Sequence, residues 1–192
     1  MGEQVDEIRA AHAVDAAWLT AVLHRAGVGV GNEIVAIDVG SIGTGQMGDN
    51  VRYALTWRDV DDALPATVVG KFPSASEASR ATAVMLNSYR QELGFYRDLR
   101  ADVTIRVPHV YHAGWNDDGH DSVLVMDDVA PPRQGDQLAG CTIAHAELVI
   151  DQAVGLHAPT WGRGLELAER IDWLTAPSAE RNEMLMWLFG HT

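Results

Sequence analysis

The sequence has a single cysteine, Cys141, so it cannot form a disulfide bond within the chain. It also lacks any apolar run near the ~20 residues that a membrane-spanning helix needs. The acidic start of the chain does not resemble a signal peptide. Together these absences predict a protein of the reducing cytoplasm with no membrane partner.

Basic residues are scarce as well: 14 stand against 27 acidic residues, for a net charge of -13. A nucleic-acid-binding protein of this composition would need a local basic patch, and the sequence contains none, so we expect no nucleic-acid partner. The basic residues are 13 arginines and one lysine, Lys71. Lysine carries a compact point charge and arginine a wide planar fork. Lys71 is therefore either a leftover surface residue or a residue at a site where arginine would fail.

The 192 residues, 47% of them hydrophobic, are enough to bury a core. Hydrophobic periodicity predicts helices over 14–26, 77–100, 142–157, 164–175 and 178–189, and strands over 34–39, 51–57, 66–72, 110–115 and 122–126. Short hairpin-type links between the strands favour an antiparallel sheet. We therefore predict an α+β fold, in which a five-stranded antiparallel sheet and a long helix precede a purely helical segment.

A glycine-rich segment with the pattern G-x-G-x-x-G, formed by Gly43, Gly45 and Gly48, lies between the first two predicted strands. In a dinucleotide-binding fold this pattern opens a helix, but here it leads into Val51–Trp57, whose composition favours a strand. The alternative is a glycine-rich hairpin that folds over nucleotide phosphates, where the missing side chains let backbone amides approach. A plain flexible turn is the other possibility.

Lys71 ends the third predicted strand, and Glu92 lies on the apolar stripe of the long predicted helix. That stripe is formed by Met85, Tyr89, Tyr96 and Leu99. A carboxylate on a core-facing stripe is costly unless a cation meets it, and no basic residue stands three or four positions away. We therefore predict that Glu92 pairs with Lys71, the alternative being a boundary glutamate that reaches solvent.

The order of these features resembles the amino-terminal lobe of the aminoglycoside-phosphotransferase and choline-kinase family, within the protein-kinase-like fold. The likeness runs from about residue 33 to about residue 175 and is greatest to the ecdysteroid-kinase-like branch. It is carried by the strand lysine in Val68-Val69-Gly70-Lys71, by Tyr89–Leu99, by Leu124–Val129, by Gly135-Asp136-Gln137 and by Leu156–Trp161.

This resemblance implies an ATP site. Gly43, Gly45 and Gly48 would cover the phosphates, Lys71 would position them, and Glu92 would hold Lys71. The hinge between the lobes, whose residues would contact adenine, would be formed by Met126, Asp127, Asp128 and Val129. Residues 1–128 would then be a nucleotide-binding lobe with an additional N-terminal helix, and residues 129–192 the hinge and the first helices of an incomplete C-terminal lobe.

The sequence departs from the family in its chemistry, because no H-x-D-x-x-x-x-N catalytic loop occurs in the 192 residues. No later metal-binding aspartate is present either, so we assign no catalytic residue and expect Mg²⁺ only with a complete C-terminal lobe. In a complete enzyme the phosphoryl group would pass from ATP to the hydroxyl of a small molecule that the sequence does not identify. The alternatives are a non-catalytic nucleotide-binding or dimerisation module and a purely structural domain.

Two features of the helical segment complete these expectations. His157 shares an apolar helix face with Ile143, Ile150 and Val154, which favours a hydrogen-bonded core histidine over a ligand or a base. Residues 184–189 are six consecutive apolar residues, and a helix that is apolar on all sides must be buried on all sides. We expect this segment to self-associate or to meet the rest of a C-terminal lobe.

Overall fold

The computed structural model describes residues 8–43, 47–116, 121–129, 136, 138–174, 179, 182–183 and 186–187. Its centre is a five-stranded sheet of antiparallel pairs in the order β1-β2-β3-β5-β4. The strands are β1 (Ile34–Ile42), β2 (Gly48–Trp57), β3 (Thr67–Pro73), β4 (Val110–Trp115) and β5 (Ser122–Asp127). The helices are α1 (Ala16–Arg25), α2 (Glu77–Met85), α3 (Ser88–Gly94), α4 (Ile143–His157) and α5 (Gly164–Arg170). The predicted α+β class and five-stranded antiparallel sheet are confirmed.

Helix α1 covers one face of the sheet. The carboxylate of Asp15 caps the helix by accepting a hydrogen bond from the backbone N–H of Trp18 at 2.8 Å. One stripe of the helix, formed by Trp18, Leu19, Val22 and Leu23, is buried. It packs in a core cluster with strand residues that include Val51, Tyr53, Val68, Val123 and Val125. This apolar core leaves the opposite face of the sheet for α3.

The connection from β3 to β4 places α2 and α3 beside the sheet. Both strands pair antiparallel with β5, which lies between them, so they run in the same direction and need a crossover connection. Helices α2 and α3 provide it. Leu93 of α3 is buried against Val69, Leu124 and Met126, which belong to the sheet face opposite α1.

The prediction of one long helix over 77–100 is wrong, because the segment forms two helices. Helix α2 ends at Met85 and α3 begins at Ser88, because Asn87 adopts a left-handed conformation with φ 55°. Asparagine tolerates this conformation better than most residues because its short polar side chain can bond locally. Met85, the last residue of α2, is exposed rather than part of a buried stripe. After Gly94 the chain continues as a π-helical turn over Phe95–Leu99.

The C-terminal helices differ in how they pack. In α5 and the segment after it, Leu167, Ile171 and Trp173 are buried against Phe95 and Leu99. The helix predicted over 164–175 ends earlier, at Arg170. Helix α4 has no buried residue, so the expectation of a core histidine at His157 is wrong: its side chain and the apolar face beside it are exposed.

The helix predicted over 178–189 lies mostly outside the described residues. In the apolar run 184–189, only Met186 and Trp187 are described, and both are exposed. No helix among the described residues has the length and apolar character needed to cross a bilayer.

Candidate functional site

The ammonium group of Lys71 forms an ion pair with the carboxylate of Glu92, as predicted. Lys71 lies on β3, where Asn50 of β2 and Leu124 of β5 are its neighbours in register. Glu92 lies on α3, which the crossover connection places on the same side of the sheet. The two side chains are 31% and 36% exposed, so solvent or a ligand can reach the pair.

A cavity of about 210 Å³ adjoins this ion pair. Its lining includes Lys71, Glu92, Gly48, Asn50, Phe72 and Ser122. A Cβ atom on Gly48 would lie 3.0 Å from the backbone oxygen of Phe72, closer than a side chain is comfortably accommodated. Glycine at this position therefore lets β2 and β3 approach each other at the wall of the cavity.

The three glycines of the hairpin have different positions. Gly43 follows β1 with a φ of 72°, a conformation that favours glycine, and Gly48 is the first residue of β2 rather than part of the loop. Gly45 lies outside the described residues. The predicted second strand thus begins three residues earlier than expected, and Gly43 and Gly48 line two different cavities.

Sequence reasoning missed Tyr89 as an anchor of the hairpin. Its hydroxyl donates to the carbonyl oxygen of Met47 at 2.5 Å and accepts from the backbone N–H of Ser74 at 3.2 Å. A single side chain on α3 therefore ties Met47, just before β2, to Ser74, just after β3. The apolar stripe of the helix did not indicate this role, because a buried tyrosine ring satisfies the same pattern.

The segment 126–129 carries the residues predicted to contact a base. Met126 is buried and Val129 is exposed. The Asp127 carboxylate is already hydrogen-bonded to other groups of the protein. The carboxylate of Asp127 accepts from the Tyr111 hydroxyl at 2.5 Å and from the His109 backbone N–H at 3.2 Å. Burial and this carboxylate raise the pKa of Tyr111 above its ordinary value. The side chain of Asp127 therefore fixes β4 against β5.

Asp128 binds Arg52 of β2, a residue that sequence reasoning did not select. Arg52 donates from Nε to Oδ2 at 2.6 Å and from Nη2 to Oδ1 at 3.0 Å. Hydrogen bonds from Arg52 and Thr67 hold the pKa of the Asp128 carboxyl below its usual range. The pair borders a second cavity, of about 600 Å³, which is also lined by Gly43, Asn50, Val69, Pro108, Met126 and Val129.

Asn50 lines both cavities, so they adjoin along one face of the sheet. Among the described residues, no group of three or more His, Cys, Asp or Glu side chains is placed to hold a metal ion. A groove of about 970 Å³ lies elsewhere, between α1 and β1, and contains no predicted site residue.

Comparisons with family models, with curated proteins and with solved structures find no match to this chain.

Proposed function

We propose that this chain is the nucleotide-binding part of a small-molecule phosphotransferase with a protein-kinase-like fold, and that its ligand is ATP. The observation that carries the proposal is the accessible Lys71–Glu92 ion pair, located where a glycine-rich hairpin and two adjoining cavities meet. The strand order, the crossover helices and the position of the lysine near the end of β3 are what the resemblance in the sequence would lead one to expect.

The chemistry of the pair suits a phosphate. A lysine ammonium has three N–H donors and no acceptor, and the contact with Glu92 uses one of them. The other two are free to serve an anionic oxygen, and Glu92 keeps the ammonium at the cavity wall. In a chain of net charge -13, an anionic ligand needs such a local cation to bind.

The larger cavity suits the base and the ribose. Its volume of about 600 Å³ falls within the range of roughly 300–1,000 Å³ typical of small-molecule sites. Met126 and Val69 supply apolar surface there, and the backbone of the segment 126–129 borders it. Since the side chains of Asp127 and Asp128 bind Tyr111 and Arg52, the main chain of this segment is what we propose to meet the base edge.

The absence of an H-x-D-x-x-x-x-N sequence favours a second candidate, a nucleotide-binding module without turnover. Both candidates predict ATP binding by this chain, and they differ in catalysis. When bound with ATP, Mg²⁺ would neutralise phosphate charge, and its protein ligands would come from a C-terminal lobe. A third candidate, a purely structural domain, predicts no nucleotide binding.

Isothermal titration calorimetry with ATP, in the presence and absence of Mg²⁺, tests the proposal. We expect saturable binding that a Lys71→Met substitution weakens. Phosphate release, measured with and without a separately supplied C-terminal lobe, then distinguishes a phosphotransferase part from a binding module. A folded wild-type chain that shows neither heat of binding nor thermal stabilisation at millimolar ATP would overturn both nucleotide-binding candidates.

A further inference from the structure

A second cation lies on the same sheet face as Lys71. In the register of β2 against β3, Asn50 stands opposite Lys71 and Arg52 stands opposite Val69. Because side chains alternate along a strand, these four residues share one face. Arg52 is therefore displaced from Lys71 by two residues along the strand direction, about 7 Å at the usual rise per residue.

Arg52 is fixed by Asp128 through one edge of its guanidinium group. Two nearly parallel hydrogen bonds, of 2.6 Å and 3.0 Å, join the groups, and the Asp128 side chain is only 5% exposed. A guanidinium paired along its edge keeps its planar faces, which can stack on an aromatic ring. The ion pair thus holds a flat cation, itself 32% exposed, at the wall of the larger cavity.

The remainder of that cavity suits a flat apolar ring. Val69 and Met126 line it from β3 and β5, and Pro108 lines it from the segment before β4. A purine has apolar faces and a π-system that attracts cations, so it can use both kinds of surface at once. The offset of about 7 Å from Lys71 leaves room for a ribose between a base at Arg52 and phosphates at Lys71.

We propose that Arg52 binds the purine ring of the nucleotide through the face of its guanidinium group, and that Asp128 is the positioning residue that orients it. This inference rests on the proposed function, because it assigns the base end of the same site. A latch that only ties β2 to the segment after β5 would explain the ion pair equally well, but it would not make nucleotide affinity depend on the base.

Calorimetry with two probes, ATP and inorganic tripolyphosphate, separates these roles. We expect Arg52→Leu to weaken ATP binding by about threefold to thirtyfold, the range that corresponds to the loss of a cation–π contact. Tripolyphosphate has no base, so its affinity should stay within about twofold of the wild-type value. Asp128→Asn should show the same selective loss, since the guanidinium would no longer be held by an ionised partner.

Lys71→Met serves as the comparison, because it should weaken both probes. Circular dichroism and thermal unfolding establish that each variant is folded, and if Arg52→Leu is not, Arg52→Gln, which also removes the cation, decides by the same ratio of affinities. Equal losses for ATP and tripolyphosphate, or no loss for either, would overturn the role of Arg52 while leaving the proposed function in place. Wild-type protein that binds neither probe would overturn the proposed function and this inference together.

Discussion

Lys71 and Glu92 form an ion pair that joins β3 to α3 across 21 residues of sequence. Both side chains are about one-third exposed, and ion pairs of this accessibility contribute only about 0–1 kcal/mol to stability. Substitutions at either residue should therefore change ligand binding more than they change folding, which makes the pair a direct probe of the proposed phosphate site.

Replacement of Lys71 should weaken ATP binding even when the positive charge is kept. Lys71→Met removes hydrogen bonds to a charged ligand, each worth about 1.5–3 kcal/mol, so we expect a loss of about tenfold to a hundredfold. Lys71→Arg should also weaken binding, because a planar fork does not replace a compact ammonium group in a cavity of about 210 Å³. Calorimetric affinities for ATP measure both effects.

Arg58→Gln is the matched control for these two variants. Arg58 forms an ion pair with Glu33 whose side chains are both well exposed, and neither residue lines the two cavities of the proposed site. Arg58→Gln removes one positive charge from the protein, as Lys71→Met does. An effect of net charge alone on ATP affinity would therefore appear in both variants. ATP affinity unchanged in Lys71→Arg and Lys71→Met would argue against the phosphate role of Lys71.

A second prediction concerns the contact between α3 and the segment that follows α5. A Cβ atom on Gly94 would lie 2.4 Å from Nε1 of Trp173. That indole is buried and donates to Asp98 Oδ2 at 2.6 Å, so it cannot easily move away. Gly94→Ala should therefore destabilise the protein by about 1–3 kcal/mol, the usual cost of overpacking, as measured by urea unfolding.

Gly164→Ala tests whether the loss comes from the contact rather than from glycine itself. Gly164 begins α5, and a Cβ atom there would meet nothing within 4 Å. Alanine loses less chain entropy on folding than glycine, so this variant should be neutral or more stable by up to about 1 kcal/mol. If Gly94→Ala were as stable as Gly164→Ala, the packing of Trp173 on α3 would be wrong.

A third prediction concerns acid stability at Asp102, which lies in the short helical turn Arg100–Asp102 and links it to Arg163 and Arg170 of the α5 region. Its carboxylate accepts from Arg170 at 2.6 Å and from Arg163 at 3.2 Å, and Arg170 is the main cause of its lowered pKa. A lowered pKa in the folded state stabilises the protein above the unfolded-state value, about 3.9. That contribution is lost as the pH falls through the folded-state pKa.

Asp102→Asn should therefore lower the free energy of unfolding at pH 7 and flatten its decrease as the pH falls below about 5, because it removes the carboxyl whose folded-state pKa is lowered. Arg170→Gln should flatten the same region, because without this cation the pKa of Asp102 returns toward its ordinary value. Urea unfolding at a series of pH values gives these curves. If the curves of both variants stay parallel to the wild-type curve, the lowered pKa of Asp102 and its origin in Arg170 are contradicted.

The strands and the Lys71–Glu92 pair could be predicted because local patterns carry them. β-branched and aromatic residues indicate β2 and β3, and a carboxylate on an apolar stripe requires a cation. The break at Asn87, where the backbone is left-handed, could not be predicted, since no glycine or proline marks it. Arg52 and Asp128 are 76 residues apart, and nothing in the sequence distinguishes this arginine from the other twelve.

Helix α4 shows a different limit of sequence reasoning. Its apolar pattern predicts which face is apolar, but it does not establish that anything covers that face. Large apolar side chains of α4 are exposed, namely Ile143, Leu148, Val149, Ile150 and Val154. Trp161 and Leu165, which follow in the chain, are exposed as well. Ile143, Ile150 and Val154 share one face of the helix, and exposed apolar surface of this kind usually marks an interaction site or causes association.

The last prediction is that the exposed face of α4 makes the isolated chain bind apolar dyes and associate as its concentration rises. Replacing Ile150 and Val154 together by lysine should reduce both effects, because the two residues lie one helical turn apart on this face and both are exposed. The free energy of unfolding should change by no more than about 1 kcal/mol, because exposed side chains contribute little to folding. Val60→Lys is the control, since Val60 is 92% exposed in a turn outside α4. Light scattering after size-exclusion chromatography and dye fluorescence measure the two effects. A wild-type chain that remains a dye-silent monomer at high concentration would show that this surface is covered in solution.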